Sequence, residues 1–196
     1  RLFAALERPN VMIKVPATAE GIPAVRRLIA DGINVNVTLI FSRDVYRQVN
    51  EAYIMGLEDL DRAGGDVSKV ASVASFFVSR VDTAIDDQLD ALISEGHEEL
   101  LNLQGKAAVS NAKLAYRLFQ NKFGERPFTG LRAKGARVQR PLWASTGTKN
   151  AAYSDVLYLD SLIGPDTVNT VPEATLMAFL DHGGTAETLV QSVEGA

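Results

Sequence analysis

Short apolar or β-branched runs alternate along this chain with longer stretches whose apolar residues recur every three or four positions. That is the pattern of β-α units feeding a parallel sheet. Five runs predict strands: Val11–Ala17 (VMIKVPA), Asn34–Phe41 (NVNVTLIF), Ser72–Ser79 (SVASFFVS), Val138–Ser145 (VQRPLWAS) and Thr167–Val171 (TVNTV). Between the first two, Ile22, Val25, Leu28 and Ile29 keep helical spacing, and Gly32 marks the stop. Ser42 predicts an N-cap for the helix in RDVYRQVNEAYIMGLEDLDR, which the Ala63-Gly64-Gly65-Asp66 turn ends. Asp82 is expected to cap TAIDDQLDALI in the same way. From Gly96 to Phe123, apolar residues at 100, 101, 103, 107, 108, 114, 115 and 118 predict one or two further helices. No internal repeat or low-complexity segment interrupts the pattern, so residues 1–196 are expected to be one domain.

Alternate residues of a strand point to opposite sides, which splits each run into two faces. Val11, Ile13 and Val15 oppose Met12, Lys14 and Pro16; Val35, Val37 and Leu39 oppose Asn34, Asn36 and Thr38. A doubly wound sheet, covered by helices on both sides, has strands that read as near-continuous apolar runs. These strands have one apolar face and one carrying Lys, Asn and Thr, which describes the interior of a β/α barrel near its mouth. A complete (β/α)8 barrel needs about 250 residues. The expected fold class is therefore α/β, a TIM (β/α)8 barrel of which this chain supplies about the last five units. The chain does not begin with Met, and we expect it to start partway into something longer.

Composition narrows the chemistry. Twenty Lys and Arg against 24 Asp and Glu leave a net charge of −4, which argues against nucleic acid or an anionic membrane as partner. With no cysteine there is no disulfide, thiolate metal site or cysteine nucleophile, and the expected compartment is the cytoplasm. Two histidines, His97 and His182, are too few for a multi-histidine metal site, and both adjoin glycines in what reads as surface loops. No run approaches the roughly 18 apolar residues of a membrane span.

Lys14 is the most unusual residue, a lysine in mid-strand between Ile13 and Val15. If buried, its ammonium is costly and its free amine becomes available to attack a carbonyl, giving a Schiff base. If it lies at a strand end, it snorkels to water and pairs with an acid from the part expected to precede Arg1. No glycine-rich phosphate loop follows a strand, so a substrate carbonyl is a better partner than pyridoxal phosphate. Asn36 and Thr38, on the adjacent strand and the same face, can hold sugar hydroxyls and orient a catalytic water; for Asn34, nearer the strand start, a structural role is expected. Ser75 lies on the third strand, and Arg80 follows it with a guanidinium suited to phosphate. Ser145 and Lys149, in ASTGTKN after the fourth strand, add a hydroxyl and a second cation. No Asp or Glu occupies an inward strand position, so proton transfer must be served from elsewhere.

The segment Ile13–Ile22 (IKVPATAEGI), followed by GINVNVTLIFS from Gly32 to Ser42, resembles transaldolase. Ser75–Asp82 (SFFVSRVD), Gly105–Ala108 (GKAA), Trp143–Asn150 (WASTGTKN) and Asp166–Pro172 (DTVNTVP) resemble the long bacterial branch of that family, so the likeness spans nearly the whole chain. The resemblance implies a barrel that transfers a dihydroxyacetone unit between sugar phosphates in the pentose phosphate pathway, with no metal or cofactor. It puts Lys14 at the Schiff-base position, Asn36 and Thr38 at substrate and catalytic-water positions, and Ser75 and Arg80 at substrate and phosphate contacts. Ser145 and Lys149 join the phosphate contacts, although the family's shorter members carry an arginine near an Ala-Ser pair where this chain has TGTK. The family's acidic residues on its first and third strands are implied to precede Arg1, and 196 residues alone are expected not to turn over at transaldolase rates. The alternatives are a fructose 6-phosphate aldolase, a transaldolase portion fused to glucose 6-phosphate isomerase, and a non-catalytic half barrel that binds sugar phosphates. Exposed strand edges make a homodimer the expected assembly.

Overall fold

The computed structural model describes residues 2–195. In chain order the elements are α1 (Leu2–Leu6), β1 (Ile13–Pro16), α2 (Gly21–Ala30), β2 (Val35–Ile40), α3 (Arg43–Arg62), β3 (Ser72–Phe77) and α4 (Ser79–Ser94). There follow α5 (Ala107–Gly124), α6 (Arg126–Ala133), β4 (Arg140–Ala144), α7 (Leu157–Ser161), β5 (Val168–Asn169) and α8 (Glu173–His182). All five predicted strands are present, each shorter than its predicted run. The chain forms two compact units, one running up to Phe76 and including Leu118–Pro141, the other comprising Phe77–Arg117 and the residues from Leu142 onward.

In the first unit β1, β2 and β3 are parallel, with Lys14 opposite Asn36, Pro16 opposite Thr38, and Asn36 opposite Val73. Helices α2 and α3 pack together and against these strands. Gly21 is where α2 meets β1: a Cβ there would lie 1.9 Å from the Pro16 carbonyl oxygen, so no other residue fits. Gly56 does the same for the helix pair, since its Cβ would fall 2.7 Å from both the Arg26 carbonyl oxygen and Ile29 Cβ. Ser42 caps α3 as predicted, its Oγ accepting from the Val45 N–H at 3.2 Å. Tyr46, Val49, Tyr53 and Leu57 form the buried stripe of α3. Tyr46 meets Phe76 edge-on at 5.7 Å, and Phe119, Phe123 and Phe128 build an aromatic cluster beside Tyr53.

Val11 and Met12 fall outside β1 because Asn34 Nδ2 takes the carbonyls of Pro9 and Val11, while its Oδ1 accepts the Ala71 N–H. Asn34 is thus a structural clasp, as its position suggested. The predicted apolar face of β2 also needs correction: Leu39 does not join Val35 and Val37 but is 45% exposed, and Ile40 is buried instead. The cause is a bulge. Val37 pairs with Ala74 and Ile40 with Phe76, so Thr38 and Leu39 together oppose one residue, and Leu39 takes a left-handed φ of 62°.

In the second unit β4 and β5 are parallel, Leu142 opposite Val168 and Trp143 opposite Asn169. Trp143, the only tryptophan of the chain, is 1% exposed. The third predicted strand overran its true end, because Ser79 already opens α4. Asp82 therefore lies inside α4 and does not cap it. Its carboxylate instead accepts the Ala108 N–H of α5 at 2.7 Å and the Tyr158 hydroxyl of α7 at 2.8 Å. His182, expected in a loop, is the last residue of α8.

Candidate functional site

In the first unit the polar face of the three strands carries Lys14, Asn36 and Ser75, because residues opposite one another in a parallel ladder share a face. Lys14 is exposed and not buried. It has no ion pair among the described residues. Ser75, 3% exposed, donates its hydroxyl proton to Asn36 Oδ1 at 2.7 Å. That bond fixes the amide and leaves Asn36 Nδ2 as a spare donor on the face that carries Lys14. Thr38 is nearly buried, and its hydroxyl makes no hydrogen bond among the described residues. The bulge sets Thr38 and Leu39 against Ser75, so the strand ends irregularly where these side chains gather.

In the second unit Arg80, Ser145 and Lys149 are carried by the start of α4 and the segment after β4. Two backbone bonds join these segments, from the Val78 N–H to the Ala144 carbonyl at 2.9 Å and from the Ser79 N–H to the Ser145 carbonyl at 3.0 Å. The hydroxyls of Ser79 and Ser145 lie 2.9 Å apart. Ser145 has a left-handed φ of 58°, uncommon for a residue with a Cβ. Arg80, the next residue after Ser79, is exposed and lies over the Phe77 ring at 5.1 Å. The start of α4, which carries Arg80, is thereby tied to the segment that carries Ser145.

Lys149 is set apart from them. It lines a small cleft with Asp82, Asp86, Asp87, Asp90, Asn150, Tyr153 and Tyr158, whose floor is acidic. Asp86 accepts from the Tyr153 hydroxyl at 2.8 Å and the Gly105 N–H at 3.1 Å. Burial raises the Asp82 carboxyl above its usual range, against the pull of the Ala108 N–H and the Tyr158 hydroxyl. Burial, then the neighbouring Asp86, pushes Tyr153 up to about 12, and burial with Asp82 pushes Tyr158 higher still. Both tyrosines therefore stay protonated donors. Sequence reasoning passed over Ser79, Tyr153 and Tyr158. Ser79 was hidden by the misplaced strand end, and the tyrosines had no motif around them.

A family described as Transaldolase/Fructose-6-phosphate aldolase matches residues 1–195. The chain is 57% identical over 182 residues to a protein of Mycolicibacterium smegmatis named transaldolase, covering 93% of this chain and 48% of that protein. It is 54% identical over 181 residues to the transaldolase of Saccharopolyspora erythraea, covering 92% of this chain and 48% of that one. With Transaldolase 1 of Streptomyces coelicolor the identity is 55% over 178 residues, 91% of this chain and 46% of the relative. The chain thus spans about half the length of the curated relatives it matches.

Proposed function

The chain belongs to the transaldolase/fructose-6-phosphate aldolase family, its five strands alternating with helices being part of that family's (β/α)8 barrel, and from this premise we propose that it carries the imine-forming portion of a transaldolase. The observation that supports this most is the register of the first unit: Lys14 stands opposite Asn36, and Asn36 is fixed by Ser75. In this reading Lys14 Nζ attacks the ketone of fructose 6-phosphate or sedoheptulose 7-phosphate. The carbinolamine loses water, and the resulting iminium accepts the electron pair of the breaking carbon–carbon bond. An aldose phosphate departs, and the enamine left on Lys14 adds to a second aldose phosphate before water hydrolyses the imine. No ion pair with a described carboxylate has to be broken before Lys14 reacts.

Asn36 Nδ2 and the Thr38 hydroxyl hold substrate hydroxyls and the water that moves protons, and Ser75 keeps the amide turned toward the substrate. Arg80 and Ser145 hold the phosphate, with no metal or cofactor taking part, and Lys149, in its acidic cleft, is left out of that grip. In this reading the chain is part of one barrel domain acting in the cytoplasm. β1 pairs with β2 alone among the described strands, and its other edge is offered to a second copy in a homodimer.

The test is borohydride trapping. The protein is incubated with dihydroxyacetone or fructose 6-phosphate, reduced, and weighed intact. One adduct of a reduced dihydroxyacetone unit, mapped to Lys14 and absent in Lys14→Ala, is expected. Sugar phosphate binding with no adduct from either compound would instead establish a non-catalytic binding half barrel. Free dihydroxyacetone accumulating from fructose 6-phosphate, with no transfer to an acceptor, would make it an aldolase of the same family.

A further inference from the structure

We propose that Ser79 is a positioning residue that makes the Ser145 hydroxyl an outward donor reserved for an anionic oxygen; this rests on the phosphate role given above to Ser145 and Arg80. Ser79 is 1% exposed, so no solvent is at hand for its hydroxyl proton. A buried O–H must find an acceptor. Among the described residues the only hydrogen-bond partner of Ser79 Oγ is Ser145 Oγ, 2.9 Å away. Ser79 is therefore the donor of that pair. Ser145 has only one hydroxyl proton, and with its oxygen already accepting from Ser79, that proton is left for a group outside the pair.

The backbone holds the arrangement in place. The Ser79 N–H grips the Ser145 carbonyl at 3.0 Å, and the Val78 N–H grips that of Ala144 at 2.9 Å. These bonds maintain the left-handed turn at Ser145, a conformation uncommon for a residue with a Cβ. The hydroxyl so oriented needs an acceptor without protons of its own to place. A phosphate oxygen fits, and the exposed guanidinium of Arg80 is one residue from Ser79. Donation from Ser79 also polarises the Ser145 O–H and strengthens the bond it makes to an anion.

The proposal is tested with inorganic phosphate as the probe, followed by the amide resonances of Ser79, Arg80 and Ser145. The protein compared is the full chain, as wild type, Ser79→Ala, Ser79→Thr, Ser145→Ala and the double variant Ser79→Ala/Ser145→Ala. Wild type should titrate, Ser79→Ala should bind about fivefold more weakly, and Ser79→Thr, which keeps the hydroxyl, should bind as wild type does. Once Ser145 is alanine, removing the Ser79 hydroxyl should cost nothing more, because its effect passes through Ser145. A merely structural serine would weaken binding equally in both backgrounds, and that outcome overturns the proposal. Unchanged binding by Ser79→Ala overturns it as well and leaves the phosphate role standing. No titration by wild type removes the phosphate role itself, and the positioning role with it.

Discussion

Asp82 is the residue whose surroundings differ most from what its neighbours in sequence suggest. An aspartate just before a helical run reads as that run's cap, but a cap rule sees only a few positions ahead. The true partners, Ala108 and Tyr158, lie 26 and 76 residues away, and nothing in the local pattern points to them. Tyr158→Phe removes one donor from a buried carboxylate and is expected to lower unfolding stability by about 1–3 kcal/mol, read from denaturant melts. His182 offers a pH-dependent counterpart. Its Nε2 lies 2.9 Å from Asp155 and its Nδ1 3.2 Å from Asp181, and these contacts, Asp155 foremost, raise its pKa. A raised folded value means that the contribution is complete below the ordinary histidine range and is lost as pH rises through the folded pKa. Amide exchange of Gly183 and Gly184 should therefore quicken above neutral pH by more than the intrinsic rate, and His182→Ala should abolish the excess. By contrast Asn34, whose structural role was expected, is engaged through both atoms of its amide.

Among the elements, those closed by local chemistry were readable and those shaped by their neighbours were not. Ser42 announces α3, and Gly32, with a φ of 74°, ends the turn after α2; both signals are confined to a few residues. Ser42→Ala should cost about 1 kcal/mol in the same denaturant measurement. Strand ends were overrun because β-branched and serine residues continue past the last ladder bond, as Val78 and Ser79 do after β3. The bulge in β2 was equally hidden. Strict alternation assigns Leu39 to the core, and only the two-against-one pairing with β3 turns it outward. Leu39→Gly should relieve the left-handed φ and leave the protein as stable as wild type or more stable by up to about 1 kcal/mol. Val37→Gly, one register step inside the ladder and fully buried, should destabilise by several times that amount.

For the chain taken end to end, the order of strands and helices was legible because each β-α unit repeats the same hydrophobic rhythm. The polar strand face was legible because Lys, Asn and Thr are rare on a covered sheet. What could not be read was the setting of Lys14. Its aliphatic neighbours in sequence left burial and exposure both open, and it is exposed, since burial depends on what packs over a strand and not on the residues beside it. With the chain spanning about half the length of its relatives, a polypeptide of only these 196 residues is expected to trap dihydroxyacetone at Lys14 without sustaining transfer. A coupled assay of erythrose 4-phosphate formation checks this, and turnover at the rate of a full-length relative would refute it. The placing of Trp143 has a practical consequence. As the sole indole, shielded from water in β4, it emits from the second unit alone, whereas the core tyrosines Tyr46 and Tyr53 belong to the first. Indole emission is thus an optical clock for loss of structure in the second unit, with no label added, whereas tyrosine absorbance sums both units, since Tyr116, Tyr153 and Tyr158 lie in the second.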